Sequence, residues 1–233
     1  MAKFRPLLLP IRFWTRWERK MRKFAHRPLR ILVTGFGAFP GAPFNPTQAI
    51  VGRLGKFSRR RLERLGIDLH IAVLPVTYAH SDEALPKLLD AIKPDAVLHL
   101  GLAARRRTIT VETRGLNRIS ILRRDAAKRV ARQCEIEVRA PFSRSVNLPV
   151  AGMMSAIVDT GLPARASSNA GDYVCNHTLY VSLAEGYRAG FIHVPRSLAR
   201  FRPTRGQFPG RPDIAAMTRA IEATLVTLKA KLT

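Results

Sequence analysis

Acidic residues are scarce in this sequence: 16 Asp and Glu stand against 40 Lys and Arg, a formal charge of +24 over 233 residues. A field of that size attracts nucleic acid, anionic lipid and acidic protein without specificity. Cysteine is scarcer still. With only Cys134 and Cys175 a disulfide framework is excluded, and a reducing, cytoplasmic setting is the simpler expectation. Apolar runs never reach the roughly 18 residues of a membrane span. Aromatic residues, 7% of the chain, are not interleaved with the basic ones as in a nucleic-acid recognition motif, which ranks that class of function low. Two cysteines and scattered histidines make no metal site by spacing. Gly35-Phe36-Gly37 lacks the further glycine of a dinucleotide loop. No metal and no cofactor is therefore expected.

What is present is enough apolar sequence, 46%, for one sizeable core. The basic excess starts early, with ten Lys or Arg against Glu18 alone in residues 1–30, and returns between Arg105 and Arg132. Residues 1–29 read as a basic extension. Its Leu7-Leu8-Leu9-Pro10-Ile11 run is too short for a signal-peptide core. Phe13, Trp14, Trp17, Met21 and Phe24 approximate one helical stripe among cations, the pattern of an interfacial helix on an anionic surface. The alternatives are a disordered basic tail, or a true start at Met21.

The domain is expected over residues 30–233. Ile31–Thr34, His70–Val76, Asp95–Leu100, Thr108–Leu116, Ala164–Ser168 and Gly190–Val194 read as strands, with a weaker one at Cys134–Val138. Helices are expected from Asn45-Pro46 to about Leu54, over Ser81–Ile92 despite Pro86, over Val150–Asp159, from near Cys175, and over Ile214–Leu232. Pro203, Gly206, Pro209 and Gly210 mark a loop before the last helix. Alternation of strands and helices implies a single α/β domain, with a mostly parallel mixed sheet flanked by helices on both faces. Ligands in such folds sit beyond the carboxyl ends of the strands.

Three groups carry potential chemistry. Cys175, in Gly171-Asp172-Tyr173-Val174-Cys175-Asn176-His177, stands at an expected helix start, where the dipole favours thiolate. His193 lies in the strand Phe191-Ile192-His193-Val194-Pro195, and Glu112 closes Ile109-Thr110-Val111-Glu112. Thiol, imidazole and carboxylate are the parts of a cysteine hydrolase if the fold brings them together. The bland readings are a buried structural cysteine, a core histidine, and a surface glutamate paired with Arg114. His177 is a rival base, but i and i+2 on a helix diverge by about 200°, so it should face away from the thiol.

These residues also fall into a recognisable order. Thr34-Gly35-Phe36-Gly37-Ala38-Phe39 followed by Asn45-Pro46, Gly101-Leu102-Ala103-Ala104-Arg105-Arg106-Arg107-Thr108-Ile109-Thr110-Val111-Glu112, the Cys175 motif from Ala170, and Gly190-Phe191-Ile192-His193-Val194-Pro195 together resemble the pyroglutamyl-peptidase I family of cysteine peptidases. The resemblance runs from about Arg30 to the C-terminus. It implies a phosphorylase/hydrolase-like fold and removal of N-terminal pyroglutamate from peptides. It implies Cys175 as nucleophile, His193 as base and Glu112 as its orienting carboxylate, and a homo-oligomer. It also implies a lactam pocket with Phe36 and Phe39 as an apolar cradle, Tyr173 and Val174 in its wall, and main-chain groups near Leu102 on the amide edge. The sequence departs from the family at Leu102, where glutamine is usual, at Thr113, where arginine is usual, and at Pro40-Gly41 in place of Gly-Gly. From Arg118 to Arg139 it is arginine-rich where the family tends to acidic residues and proline.

Overall fold

The computed structural model describes residues 27–197 and 212–233. The aromatic stripe of residues 13–24 and the Pro/Gly loop at 203–210 lie outside them. Eight strands and six α-helices are described. In chain order they are β1 Leu29–Phe36, α1 Pro46–Arg53, α2 Arg59–Arg64, β2 Ile67–Leu74, α3 Leu85–Ile92, β3 Ala96–Leu102, β4 Ile109–Glu112, β5 Arg114–Leu116, β6 Ser143–Ser145, α4 Val150–Val158, β7 Ala164–Ser167, α5 Val174–Ala184, β8 Ala189–Val194 and α6 Ile214–Leu232.

Six strands form one sheet in the order β2-β1-β3-β8-β4-β7. β1, β2, β3 and β8 run parallel, β4 is antiparallel to β8, and β7 is parallel to β4. The sheet is thus mixed and mostly parallel, as the alternation of elements predicts. β1, β3 and β8 are apolar and buried almost throughout, as strands covered on both faces must be. Ile31, Val33, Leu98, Leu100, Ile192 and Val194 pack with Ile50 of α1, Met153 and Ile157 of α4, and Met217, Ile221 and Leu225 of α6. On the other face Leu32, Phe36, Val97 and Phe191 pack with Leu85 and Leu89 of α3 and Leu179 and Leu183 of α5.

Local differences from the sequence reading have physical causes. The first helix does not stop at Leu54. A π-helical turn, Leu54–Ser58, carries it into α2, and the extra residue per turn rotates Leu62 onto the core. A second π-helical turn, His80–Ala84, precedes α3 and leaves Pro86 in the first α-helical turn, where a missing N–H costs least. β2 begins at Ile67, three residues earlier than expected, and ends before Pro75, which has no N–H for the ladder. The expected strand Thr108–Leu116 splits after Glu112. β4 stays in the main sheet and β5 pairs with β6 in a separate ribbon.

Cys134–Val138 is not a strand. Its backbone is satisfied by a side chain instead: Asn117 Oδ1 accepts from the N–H groups of Ile136 and Glu137, both at 2.9 Å. Asp125 organises the chain before it, accepting from the N–H groups of Tyr78, Ala127 and Arg129. Side-chain acceptors of this kind replace a ladder partner.

Candidate active site

The site is built on the α5 face of the sheet. Thr110 pairs with His193 and Glu112 with Phe191 across β4 and β8, while Gly101 of β3 pairs with His193 on the other side. Alternation along each strand puts Gly101, Glu112 and His193 on one face. β4 runs against its neighbours, so Glu112 does not reach the site from a shared carboxyl end of the sheet. It arrives diagonally, one pair removed from His193, and the carboxyl-end expectation does not hold for it.

Glu112 is fully buried. Its Oε1 accepts from His193 Nδ1 at 2.8 Å and from Arg106 Nη1 at 2.6 Å. Among the described residues its Oε2 has no hydrogen-bond partner. Burial alone would push this carboxyl up, but the hydrogen bond and charge of His193, with smaller contributions from Ser167 and Arg106, hold it below the usual range. Donation from Nδ1 leaves Nε2 as the imidazole's basic nitrogen. Burial lowers the His193 pKa, Glu112 opposes the shift, and the charge of Arg106 adds to it.

Cys175 is the second residue of α5. Gly171, at φ +93°, makes the left-handed turn before the helix. Tyr173 caps α5 in an extended conformation without a side-chain bond to the first turn, so the opening N–H groups of α5 receive no cap from it. The thiol lies against Gly101: a Cβ built there would stand 3.0 Å from Cys175 Sγ and 2.6 Å from the ring of Phe191. Phe191 in turn lies 4.6 Å from the His193 ring, centroid to centroid. The cysteine is thus seated beside the strand position paired with the histidine. The helix start favours thiolate, but burial, seconded by the charge of Glu112, pushes the Cys175 thiol up to about 12. Both shifts favour the neutral forms, thiol and imidazole.

The expected pocket residues divide into two groups. Phe36 is almost fully buried and stacks on Phe191 at 6.5 Å, and Val174 is fully buried behind it in the core, backing the wall rather than facing solvent. Phe39 and Tyr173 are partly exposed and meet at 6.4 Å, and Leu102 is partly exposed at the end of β3. Tyr173 is held from behind by Tyr78 at 5.8 Å and by its hydroxyl donating to the Arg124 carbonyl at 2.9 Å. His177 faces away from the thiol. Its Nε2 meets Asp82 Oδ1 at 2.5 Å, its ring stacks on Tyr78, and it lines a separate cavity of about 520 Å³ with Ile119 and Ile136.

Arg106 is a residue the sequence reading passes over. A buried Glu112 requires a cation, and Arg114 was the sequence candidate, but the partner is Arg106. Its Nη2 also donates to the Asn169 carbonyl at 2.9 Å, tying the chain before Cys175 to the carboxylate. The signal was the run Arg105-Arg106-Arg107, of which only the middle member is not fully exposed. Asn176 is a second such residue. It donates to the carbonyls of Leu116 and Arg118 and accepts from the Leu116 N–H, all at 2.8 Å, fastening β5 to the nucleophile helix. Among the described residues no three His, Cys, Asp or Glu side chains cluster as metal ligands.

A thiol at a helix start, an imidazole and a buried carboxylate on one face of an α/β sheet define the equipment of a thiol hydrolase. The chain belongs to the pyroglutamyl peptidase family, whose family model matches residues 29–226. It is 35% identical to the pyrrolidone-carboxylate peptidase of Pyrococcus furiosus over 173 residues, 72% of this chain and 81% of that protein. It is 31% identical to the pyrrolidone-carboxylate peptidase of Gloeobacter violaceus over 211 residues, 87% of this chain and 98% of that one. The fold is similar to the crystal structure of pyrrolidone carboxyl peptidase from Thermus thermophilus, with a TM-score of 0.73 and 34% identity, over 85% of this chain and 100% of that one.

Proposed function

We propose that this protein is a cysteine exopeptidase that hydrolyses the amide bond after an N-terminal pyroglutamyl residue, with Cys175 as nucleophile, His193 as general base and acid, and Glu112 as the group that orients the imidazole. The observation that carries the reading is the 2.8 Å bond from His193 Nδ1 to Glu112, on a histidine whose neighbour in the sheet, Gly101, lies against the Cys175 sulfur.

His193 Nε2 takes the thiol proton as Sγ attacks the pyroglutamyl carbonyl, so that the S–C bond forms while S–H breaks. The N–H groups opening α5, which Tyr173 does not cap, receive the oxyanion in this reading. The imidazolium, stabilised by Glu112, passes the proton to the departing amine, and the C–N bond breaks to leave a thioester. Water, deprotonated by the now neutral His193, attacks that thioester. Pyroglutamate leaves and the proton returns to sulfur. Phe39, Tyr173 and Phe36 form the apolar cradle for the lactam, Val174 backs it, and main-chain groups at Leu102 take its amide edge. A charged free amino terminus is disfavoured there because nothing offsets its desolvation.

The substrates are peptides with an N-terminal pyroglutamate, met in the cytoplasm. The basic residues before β1 extend the peptidase domain and give it affinity for anionic surfaces. Release of a chromophore from a pyroglutamyl anilide tests the assignment. Wild type should turn over and be stopped by thiol alkylation, and Cys175→Ala should lose at least about 10³-fold. Turnover that survives the substitution would exclude Cys175 as nucleophile.

A further inference from the structure

The arginine-rich segment that departs from the family pattern is not remote from the site. Asn176, next to Cys175, binds the main chain of Leu116 and Arg118, so the segment is latched at its start to the nucleophile helix. The Arg118 guanidinium donates to Asn169 Oδ1 at 3.3 Å, and the Asn169 carbonyl accepts from Arg106, the partner of Glu112. Arg118 is therefore joined to the carboxylate by three hydrogen bonds, through Asn169 and Arg106. Arg123 lies 5.1 Å over the Tyr173 ring and 3.3 Å from Asp172. Arginines thus flank the 169–173 stretch that leads into Cys175.

Their charges are not balanced. Arg106 is matched by Glu112 and Arg123 by Asp172. The exposed Arg118 meets no carboxylate among the described residues, and the exposed Arg124 donates only to the Lys128 carbonyl. Of the acids in the same stretch, Asp125 is buried with its oxygens taken by backbone N–H groups, and Glu137 is paired with Arg144.

We infer that Arg118 and Arg124 make this peptidase selective for acidic peptides, drawing a carboxylate side chain on the first or second residue after the pyroglutamyl group. The inference rests on the peptidase reading above. His193 must protonate the leaving amine, so the departing chain begins at the imidazole whose carboxylate partner is joined to Arg118 through Arg106 and Asn169. An exposed ion pair of this kind changes kcat/KM by a few-fold per charge and is screened by salt.

The test compares pyroglutamyl-Glu-Ala, pyroglutamyl-Gln-Ala and pyroglutamyl-Lys-Ala on the purified full chain. At low ionic strength kcat/KM should fall in that order, Glu over Lys by about tenfold. The ratio should shrink toward one in about 0.5 M salt and in the double variant Arg118→Gln, Arg124→Gln. It should survive in the Lys versions of the same positions, and in Arg60→Gln, Arg64→Gln, a control pair on α2. Equal rates on the Glu and Lys peptides overturn the inference while leaving the peptidase reading intact. So does a preference lost in the α2 pair and kept in the Arg118/Arg124 pair, which would place the attraction in the overall charge. Failure to hydrolyse any of the three peptides or the anilide sinks the peptidase reading, and the inference with it.

Discussion

Arg106 tunes His193 without touching it. Its guanidinium shares Glu112 Oε1 with the imidazole, and its positive charge disfavours the imidazolium. Because burial and Arg106 hold the His193 pKa below 6.5, the base stays neutral, and the acid limb of kcat/KM should lie below pH 6.5. Arg106→Met removes a charge that opposes protonation, so that limb should move to higher pH, with kcat falling about 10- to 100-fold. A pH–rate profile of the two proteins checks this. A fall in rate with an unmoved limb would mean that Arg106 only holds the chain. Nothing in Arg105-Arg106-Arg107 marks the middle residue out. The glutamate's need for a cation was legible, but its identity depended on which arginine the loop after β3 turns inward.

At the scale of elements, the decisive contact is between the end of β3 and the start of α5. Gly101→Ala would place a methyl 2.6 Å from Phe191 and 3.0 Å from the Cys175 sulfur, distances that force both to move. Stability should drop by about 1–3 kcal/mol, as overpacked cores do. Activity should drop further, by about 100-fold, because small misplacements of reacting groups cost that much. Denaturant melts and kcat/KM on the anilide separate the two losses. Equal activity in the variant would show that the thiol has room to spare. Long periodic elements such as α6 were legible to the residue, since Ile214, Met217, Ile221, Leu225 and Leu228 mark one buried side. The two π-helical turns were not, because they alter the period on which the reading depends. Nor was the 118–139 stretch, where Asn117 and Asp125 replace the regular backbone partners that a pattern search assumes.

For the molecule as a whole, acid is the condition to which the fold should be most sensitive. His99 is fully buried between the sheet and α5, with Nδ1 2.7 Å from Thr34 Oγ1 and Nε2 2.9 Å from Ser182 Oγ. Burial lowers its pKa from 6.5 to about 3. The folded state therefore binds this proton later than the unfolded chain does. The stability it confers is whole above about pH 6.5 and is lost as the pH falls toward 3, at most about 5 kcal/mol by linkage and about 2 kcal/mol by pH 5. His99→Gln keeps a bonding side chain and removes the titration, so its unfolding free energy should depend less on pH between 6.5 and 4 than that of wild type. Parallel slopes in the two proteins would remove His99 from the account.

The amino-acid sequence by itself determined the order of strands and helices outside the 113–145 stretch, the single α/β core and the three motifs holding Cys175, Glu112 and His193. Each of these depends on periodicity or on neighbours a few residues away. Only the tertiary structure decided that β4 runs against β8 and so delivers Glu112 diagonally to His193. It alone decided that Arg106 is the carboxylate's cation, that burial raises the thiol's pKa, and that Arg118 is joined to Arg106 through Asn169. Those are matters of distance and desolvation in the folded chain, and no local pattern of side chains encodes them.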